Sequence, residues 1–217
     1  KFEFSDVEDE IRNATPLRIF AIAKALKEGT SVEAIHGMSA IDPWFLHAIA
    51  EVMQKHNELA GGAAPDDNES LRAAKELGFI DSMVDRLTDQ PKGTTRKQRN
   101  ALGVKPELAC IDTTAAEFPA ETNYLYSSYK ASAAALRKSR RKKVVVLGSG
   151  PYRIGSSVEF DWCCVNAVEA AASLGYETIM VNYNPETVST DYDVCDQLVF
   201  DEISVEAILD LCENEEP

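Results

Sequence analysis

The residues best spaced for chemistry stand in two short stretches, Gly148–Asp161 (GSGPYRIGSSVEFD) and Val181–Asp191 (VNYNPETVSTD). The first places Gly148 and Gly150 directly after Lys143–Leu147, a run of Val and Leu that suits a strand buried on both faces. A glycine turn between such a strand and a helix offers free N–H groups and a positive helix end to an anion. The dinucleotide pattern, however, needs glycine at position 153, where the chain has Arg153, and its third glycine arrives late, at Gly155. No acidic residue closes the second strand, which ends Asn182-Tyr183-Asn184-Pro185, and the Gly-Lys-Ser/Thr of a Walker loop is missing. Arg153 can fork onto an anion or pair with Glu159 or Asp161. Glu159 and Glu186 fall at or just beyond the C-terminal ends of neighbouring strands, where open α/β sheets place ligands. Asn182 and Asn184 either face a ligand or shape a turn, because Asn bonds to nearby backbone and Pro185 disfavours helix at Asn184. Thr187, Ser189 and Thr190 read either as a phosphate-binding hydroxyl cluster or as turn caps.

The elements that must position these groups follow from hydrophobic spacing. After the loop 152–157 a helix runs to about Leu174 and stops at Gly175; Glu177–Asn182 and Gln197–Phe200 are further strands, and Ser204 caps a helix to Cys212. Strand, glycine turn, helix, strand is the opening of a doubly wound, Rossmann-like α/β domain, here with three strands. Cys163-Cys164 falls mid-helix as small buried packing, and Trp162 and Trp44 read as core or interface anchors. The first half reads as all-helical. Helices are expected at 5–12, Leu17–Lys27 (Ile19, Phe20, Ala23 and Leu26 on one face), Ser31–His36 and Pro43–Glu58. Three more are expected at Glu69–Leu77, Ile80–Leu87 and Thr94–Leu102. On Pro43–Glu58 the apolar stripe is Phe45, Leu46, Ile49, Val52 and Met53, with Trp44 at the entry.

Charge divides the chain. Of a net −14 over 217 residues, residues 143–217 hold 2 Lys/Arg against 15 Asp/Glu, while the first 142 are near balance at 20 against 21. The split supports a boundary near 142. It argues against nucleic acid as a partner, which draws on many cation–phosphate contacts. The basic run Arg137–Lys143 reads as a solvated linker. No apolar run approaches the roughly 20 residues needed to cross a bilayer, and the N-terminus is no signal peptide. Five cysteines without a C-x-x-C pair argue for reduced thiols and against a metal site.

The two motif stretches, in this order and spacing, resemble the large subunit of carbamoyl-phosphate synthetase at the start of its second half. Thr15–Ile49 (with TPLRIFAIAKAL, SVEAI and IDPWFLHAI) resembles the family's helical oligomerisation domain. Asp112–Phe118 and Thr122–Tyr129 resemble the segment that follows it. The resemblance implies an enzyme that uses MgATP (Mg or Mn) to make carbamoyl phosphate from bicarbonate and glutamine-derived ammonia. ATP-grasp modules do that chemistry, and none stands in this chain. It implies that Glu159, Glu186 and Arg153 line the interior route carrying carbamate to the second site, and that Trp44, Phe45 and Ile49 lie at an interface.

The expected organisation is a helical oligomerisation domain at 1–110, an extended connector at 111–142 and the incomplete start of a pre-ATP-grasp α/β domain at 143–217. The fragment itself is expected to bind no cofactor or metal and to be inactive alone. Its expected partners are the rest of the large subunit, the glutamine amidotransferase and further copies of itself, with no membrane, in the cytoplasm or, for a urea-cycle homologue, the mitochondrial matrix. The pathway served, arginine or pyrimidine, is left open. Two other readings stand beside this one: a free-standing non-catalytic adaptor, and a regulatory nucleotide site at Gly148–Gly155.

Overall fold

The computed structural model describes residues 2–62, 64–115, 117–119, 123–131, 139–150 and 158–217. The chain divides into two compact units, Lys1–Leu102 and Gly103–Pro217.

The first unit is helical: α1 (Val7–Arg12), α2 (Arg18–Lys27), α3 (Val32–Ser39), α4 (Pro43–Ala60), α5 (Asn68–Glu76), α6 (Asp81–Leu87) and α7 (Thr94–Ala101). Short polar side chains start four of them by accepting orphan N–H groups: Asp6 from Asp9, Ser31 from Ala34, Asp42 from Trp44 and Asp67 from Ser70. One core cluster joins Ile11, Ala21, Ile22, Ala25, Val32, Ile35 and Leu46; a second joins Leu59, Ala74, Phe79 and Val84.

The buried face of α2 differs from expectation. Ala21, Ile22 and Ala25 point inward, while Ile19 and Phe20 are exposed. Two small alanines let α1 and α4 come close, and that close approach outweighs the larger side chains on the other face. On α4, likewise, Leu46 is fully buried while Phe45 is exposed, and Ile49 packs against the first cluster.

A buried charge cluster ties the C-terminal part of this unit together. The Asp81 carboxylate receives the Lys75 ammonium at 3.0 Å and the Arg99 Nε–H at 2.8 Å, all three side chains being buried. Asp85, also buried, accepts the N–H groups of Gly93 and Thr95 at 2.6 and 2.8 Å and the Thr95 hydroxyl at 2.6 Å, so it fixes the start of α7.

The second unit holds β1 (Glu107–Cys110), β2 (Tyr124–Ser128), β3 (Lys143–Leu147), α8 (Val158–Ser173), β4 (Glu177–Asn182), a 3-10 turn (Val188–Thr190), β5 (Gln197–Phe200) and α9 (Val205–Glu215). They form one mixed sheet in the order β1-β2-β5-β4-β3, antiparallel between β1 and β2 and parallel elsewhere. Among the described residues the sheet therefore has five strands, not three. Tyr124–Ser128, which falls within the connector expected at 111–142, pairs with β5, and Glu107–Cys110, within the range expected to be helical, pairs with β2. Both are short, and their pairing depends on a neighbour strand more than seventy residues away in the case of β2, which no local pattern encodes.

Side chains alternate across the sheet as the pleat requires. Ile179, Val181, Val199 and Leu125 pack toward Leu211 of α9, while Met180 and Leu198 pack toward Cys164 and Val168 of α8. β4 is buried along its whole length, as befits an inner strand covered on both faces. Of the cysteine pair, Cys164 enters this core and Cys163 is exposed; Trp162 is 68% exposed and is not a core anchor.

Replacing Asp81 by Ala takes the shared carboxylate away from two buried cations. The expected result is a loss of about 3–5 kcal/mol in urea unfolding of the chain, whereas the exposed control Asp66→Ala stays within about 0.5 kcal/mol of the parent.

Candidate functional site

The site grows from the C-terminal ends of β3 and β4. The Gly148 N–H continues the ladder by donating to Val181 O at 2.7 Å. Asn182, the last residue of β4, is almost fully buried, and its side-chain oxygen accepts the N–H of Tyr183 at 2.9 Å and of Gly150 at 3.2 Å, with a longer 3.4 Å approach from Asn184. A Cβ on Gly148 would lie 2.6 Å from Asn182 Cγ, and one on Gly150, whose φ is +74°, would lie 2.8 Å from Tyr183 Cε1. Both glycines are thus required by protein side chains that occupy the space beside them. At Gly148 and Gly150 these side chains make the close approach; the rest of the turn, 151–157, lies outside the described residues.

Beyond β4 the segment is shaped by its own polar side chains. Asn184 Oδ1 accepts the Glu186 N–H at 3.1 Å, an Asx turn that projects Glu186 outward. The Thr190 hydroxyl donates to Thr187 O at 2.7 Å and lies 3.2 Å from Asn184 O. Ser189, fully buried, donates its N–H to Asp161 Oδ2 on α8 at 3.1 Å. Turn bonding thus engages Asn182, Asn184 and Thr190.

The structure brings Glu159, Asp161 and Glu186 to one cavity of about 660 Å³, opened between α8 and the Pro185–Val188 segment. Glu159 and Glu186 are exposed to it, Asp161 is buried in its wall, and Asp191 adds a fourth carboxylate. Val158, Trp162, Val165 and Val188 supply its apolar lining. A carboxylate-lined, partly apolar wall of this kind repels a bare anion and favours the protonated, neutral form of an acid. Arg153 and Gly155 lie outside the described residues. Trp44 and Phe45 sit on the surface of the helical unit, Trp44 being 71% exposed, with their rings edge to face at 4.9 Å. Asp191 and Trp162 were not foreseen as lining residues; the i, i+3 spacing of Trp162 from Glu159 on one helix was the available signal.

The family model described as the oligomerisation domain of the carbamoyl-phosphate synthetase large chain matches residues 1–103, and that described as the carbamoyl phosphate synthase preATP-grasp domain matches residues 140–217. A carbamoyl phosphate synthase large chain of Gemmatimonas aurantiaca is 45% identical over 98% of this chain and 19% of its own length. The chain belongs to the carbamoyl-phosphate synthetase large-chain family. An arginine-specific mitochondrial large chain of Neurospora crassa is 43% identical over 98% of this chain and 18% of its own, and the multifunctional protein URA2 of Saccharomyces cerevisiae 46% over 97% and 10%. The chain therefore spans about a fifth or less of the length of these curated relatives.

Synthetases of this family use MgATP, and the described residues do not fit that group: Asn182 and Tyr183 fill the space beside the two glycines, and no group of three or more His, Cys, Asp or Glu that could hold a metal ion is present among them. Burial pushes the Cys195 thiol up to about 11, so it stays protonated and unreactive near neutral pH. Among the described residues no helix is long and apolar enough to cross a membrane.

The Gly148–Asn182 contact predicts a coupled pair of effects. Asn182→Ala leaves buried N–H groups without an acceptor and is expected to cost about 1–3 kcal/mol; Gly148→Ala is expected to be destabilising by steric overlap. The double variant, in which the added methyl takes the vacated space, should be more stable than the sum of the two losses predicts, as read by a double-mutant cycle in urea.

Proposed function

We propose that this chain serves the ATP-dependent synthesis of carbamoyl phosphate from bicarbonate and glutamine-derived ammonia, as part of a synthetase large subunit. The helical unit provides subunit association. The α/β unit provides one wall of the route along which carbamate passes to the second phosphorylation site. The observation that carries this reading is the convergence of Glu159 and Glu186, from α8 and from the segment after β4, on one cavity at the C-terminal ends of parallel strands. Carbamate decomposes in bulk water, so a walled passage is a kinetic necessity, and carboxylates along it keep the passing acid neutral. MgATP is spent elsewhere in the parent. Its partners on this reading are the remainder of the large subunit and the glutamine amidotransferase. The setting is cytoplasmic, or mitochondrial as in the name of the Neurospora relative.

The exposed aromatic surface of the helical unit supports the association role, since Trp44 and Phe45 present their rings to solvent. Sedimentation velocity should find the chain larger than a monomer at micromolar concentration, and Trp44→Asp/Phe45→Asp should return it to a monomer; a parent chain that is monomeric throughout would refute this part.

The route is tested in the intact synthetase. Glu159→Gln and Glu186→Gln should lower carbamoyl phosphate formation from bicarbonate by about tenfold or more while bicarbonate-dependent ATP hydrolysis continues. Full coupling of hydrolysis to product in both variants would contradict the reading. The isolated chain should form no carbamoyl phosphate from ATP, bicarbonate and ammonia.

A further inference from the structure

Asp161 differs from the other carboxylates of the cavity. It is 5% exposed, whereas Glu159, Glu186 and Asp191 are exposed. It stands in the first turn of α8, two residues beyond Glu159, where the positive end of the helix dipole favours a buried negative charge. Its Oδ2 accepts the Ser189 N–H at 3.1 Å, and Ser189 is the central, fully buried residue of the 3-10 turn, three residues after Glu186. That turn is closed by the Thr190 hydroxyl on Thr187 O, which also reaches Asn184 O, and Asn184 in turn holds the Glu186 N–H. A continuous string of bonds therefore runs from α8 to the backbone that carries Glu186.

Asp161 Oδ1 and Ser189 Oγ are both buried and make no hydrogen bond among the described residues. A buried carboxylate needs hydrogen-bond donors, and among the described residues the Ser189 N–H is the one that Asp161 receives. The feature gained is an acceptor for the Ser189 N–H, anchored on a rigid helix.

We propose that Asp161 is a positioning residue: it ties α8, which carries Glu159, to the Val188–Thr190 turn, and so sets where Glu186 stands across the cavity. The mechanical part of this proposal follows from the hydrogen bonds alone. Its functional consequence rests on the carbamate-route reading above.

Two variants separate the parts. Asp161→Ala removes the acceptor; Asp161→Asn keeps an oxygen for the Ser189 N–H. In the 217-residue chain, amide exchange at Ser189 and Glu186 should rise about tenfold or more in Asp161→Ala, equal to a loss of about 1.4 kcal/mol in local protection, and stay near the parent in Asp161→Asn. In the full-length synthetase, the ATP consumed per carbamoyl phosphate formed should rise in Asp161→Ala, as carbamate escapes to water, and return to the parent ratio in Asp161→Asn. A fold that is merely weakened lowers both rates together and leaves the ratio alone. Unchanged exchange in Asp161→Ala overturns the tie. Faster exchange with an unchanged ratio, in a synthetase that Glu186→Gln does uncouple, overturns the positioning role. An unchanged ratio in Glu186→Gln as well refutes the carbamate-route reading instead, while the exchange data still decide the tie.

Discussion

The second unit depends on a single close approach, the Asn182 side chain lying against Gly148. Because the carboxamide fills the place of a Cβ at 2.6 Å, position 148 admits no side chain. The same carboxamide oxygen then gathers the N–H groups of Gly150 and Tyr183. One buried amide thereby organises the exits of two adjacent strands, and it satisfies backbone groups that would otherwise be buried without partners. Tyr183, held in this way, lies against Gly150; beyond it the Asn184 turn presents Glu186, and the Asp161–Ser189 bond fastens the following turn to α8. The cavity is a consequence of these short-range constraints. Glu186 reaches it because the exit of β4 is fixed, and Glu159 reaches it from the first turn of α8.

Much of this was legible in the sequence. The runs at Lys143–Leu147, Glu177–Asn182 and Gln197–Phe200 are strands with those bounds, because dense Val, Ile and Leu bracketed by glycine and polar residues leave little choice. Ser204 caps α9 by accepting the Ala207 N–H, and Asp42-Pro43 opens α4. Each is a signal that acts within one turn. The pairing of Glu159 with Glu186 came from motif resemblance, and the cavity that both line supplies its geometry.

What escaped the sequence is non-local. β1 and β2 are four and five residues long and acquire their identity from strand partners distant in the chain. The inward face of α2 was misjudged because side-chain size was weighed above fit: Ala21 and Ala25 pack inside, and Ile19 and Phe20 remain outside. The Lys75–Asp81–Arg99 cluster was invisible because Lys, Asp and Arg are ordinary surface residues and are rarely buried unless paired. Only the folded chain brings α5, α6 and α7 near enough to pair them. The glycine turn was ambiguous for a related reason. Glycine marks close approach, and the sequence does not say whether a ligand or a neighbouring side chain makes it.

The two units carry different kinds of surface. The helical one exposes aromatic rings, and the α/β one gathers carboxylates around one cavity, in keeping with the charge divide seen in the sequence. The central claim is that the positions of Glu159 and Glu186 face each other across that cavity. The most direct measurement is cross-linking of the chain carrying Glu159→Cys and Glu186→Cys, with the exposed Cys110 and Cys163 replaced by serine, using a short bifunctional maleimide. Mass spectrometry should find one intramolecular bridge between the two introduced thiols. The corresponding pair at 159 and 206, on helices packed against opposite faces of the sheet, should not bridge. Complete labelling of each single cysteine with no bridge between 159 and 186 would contradict the account.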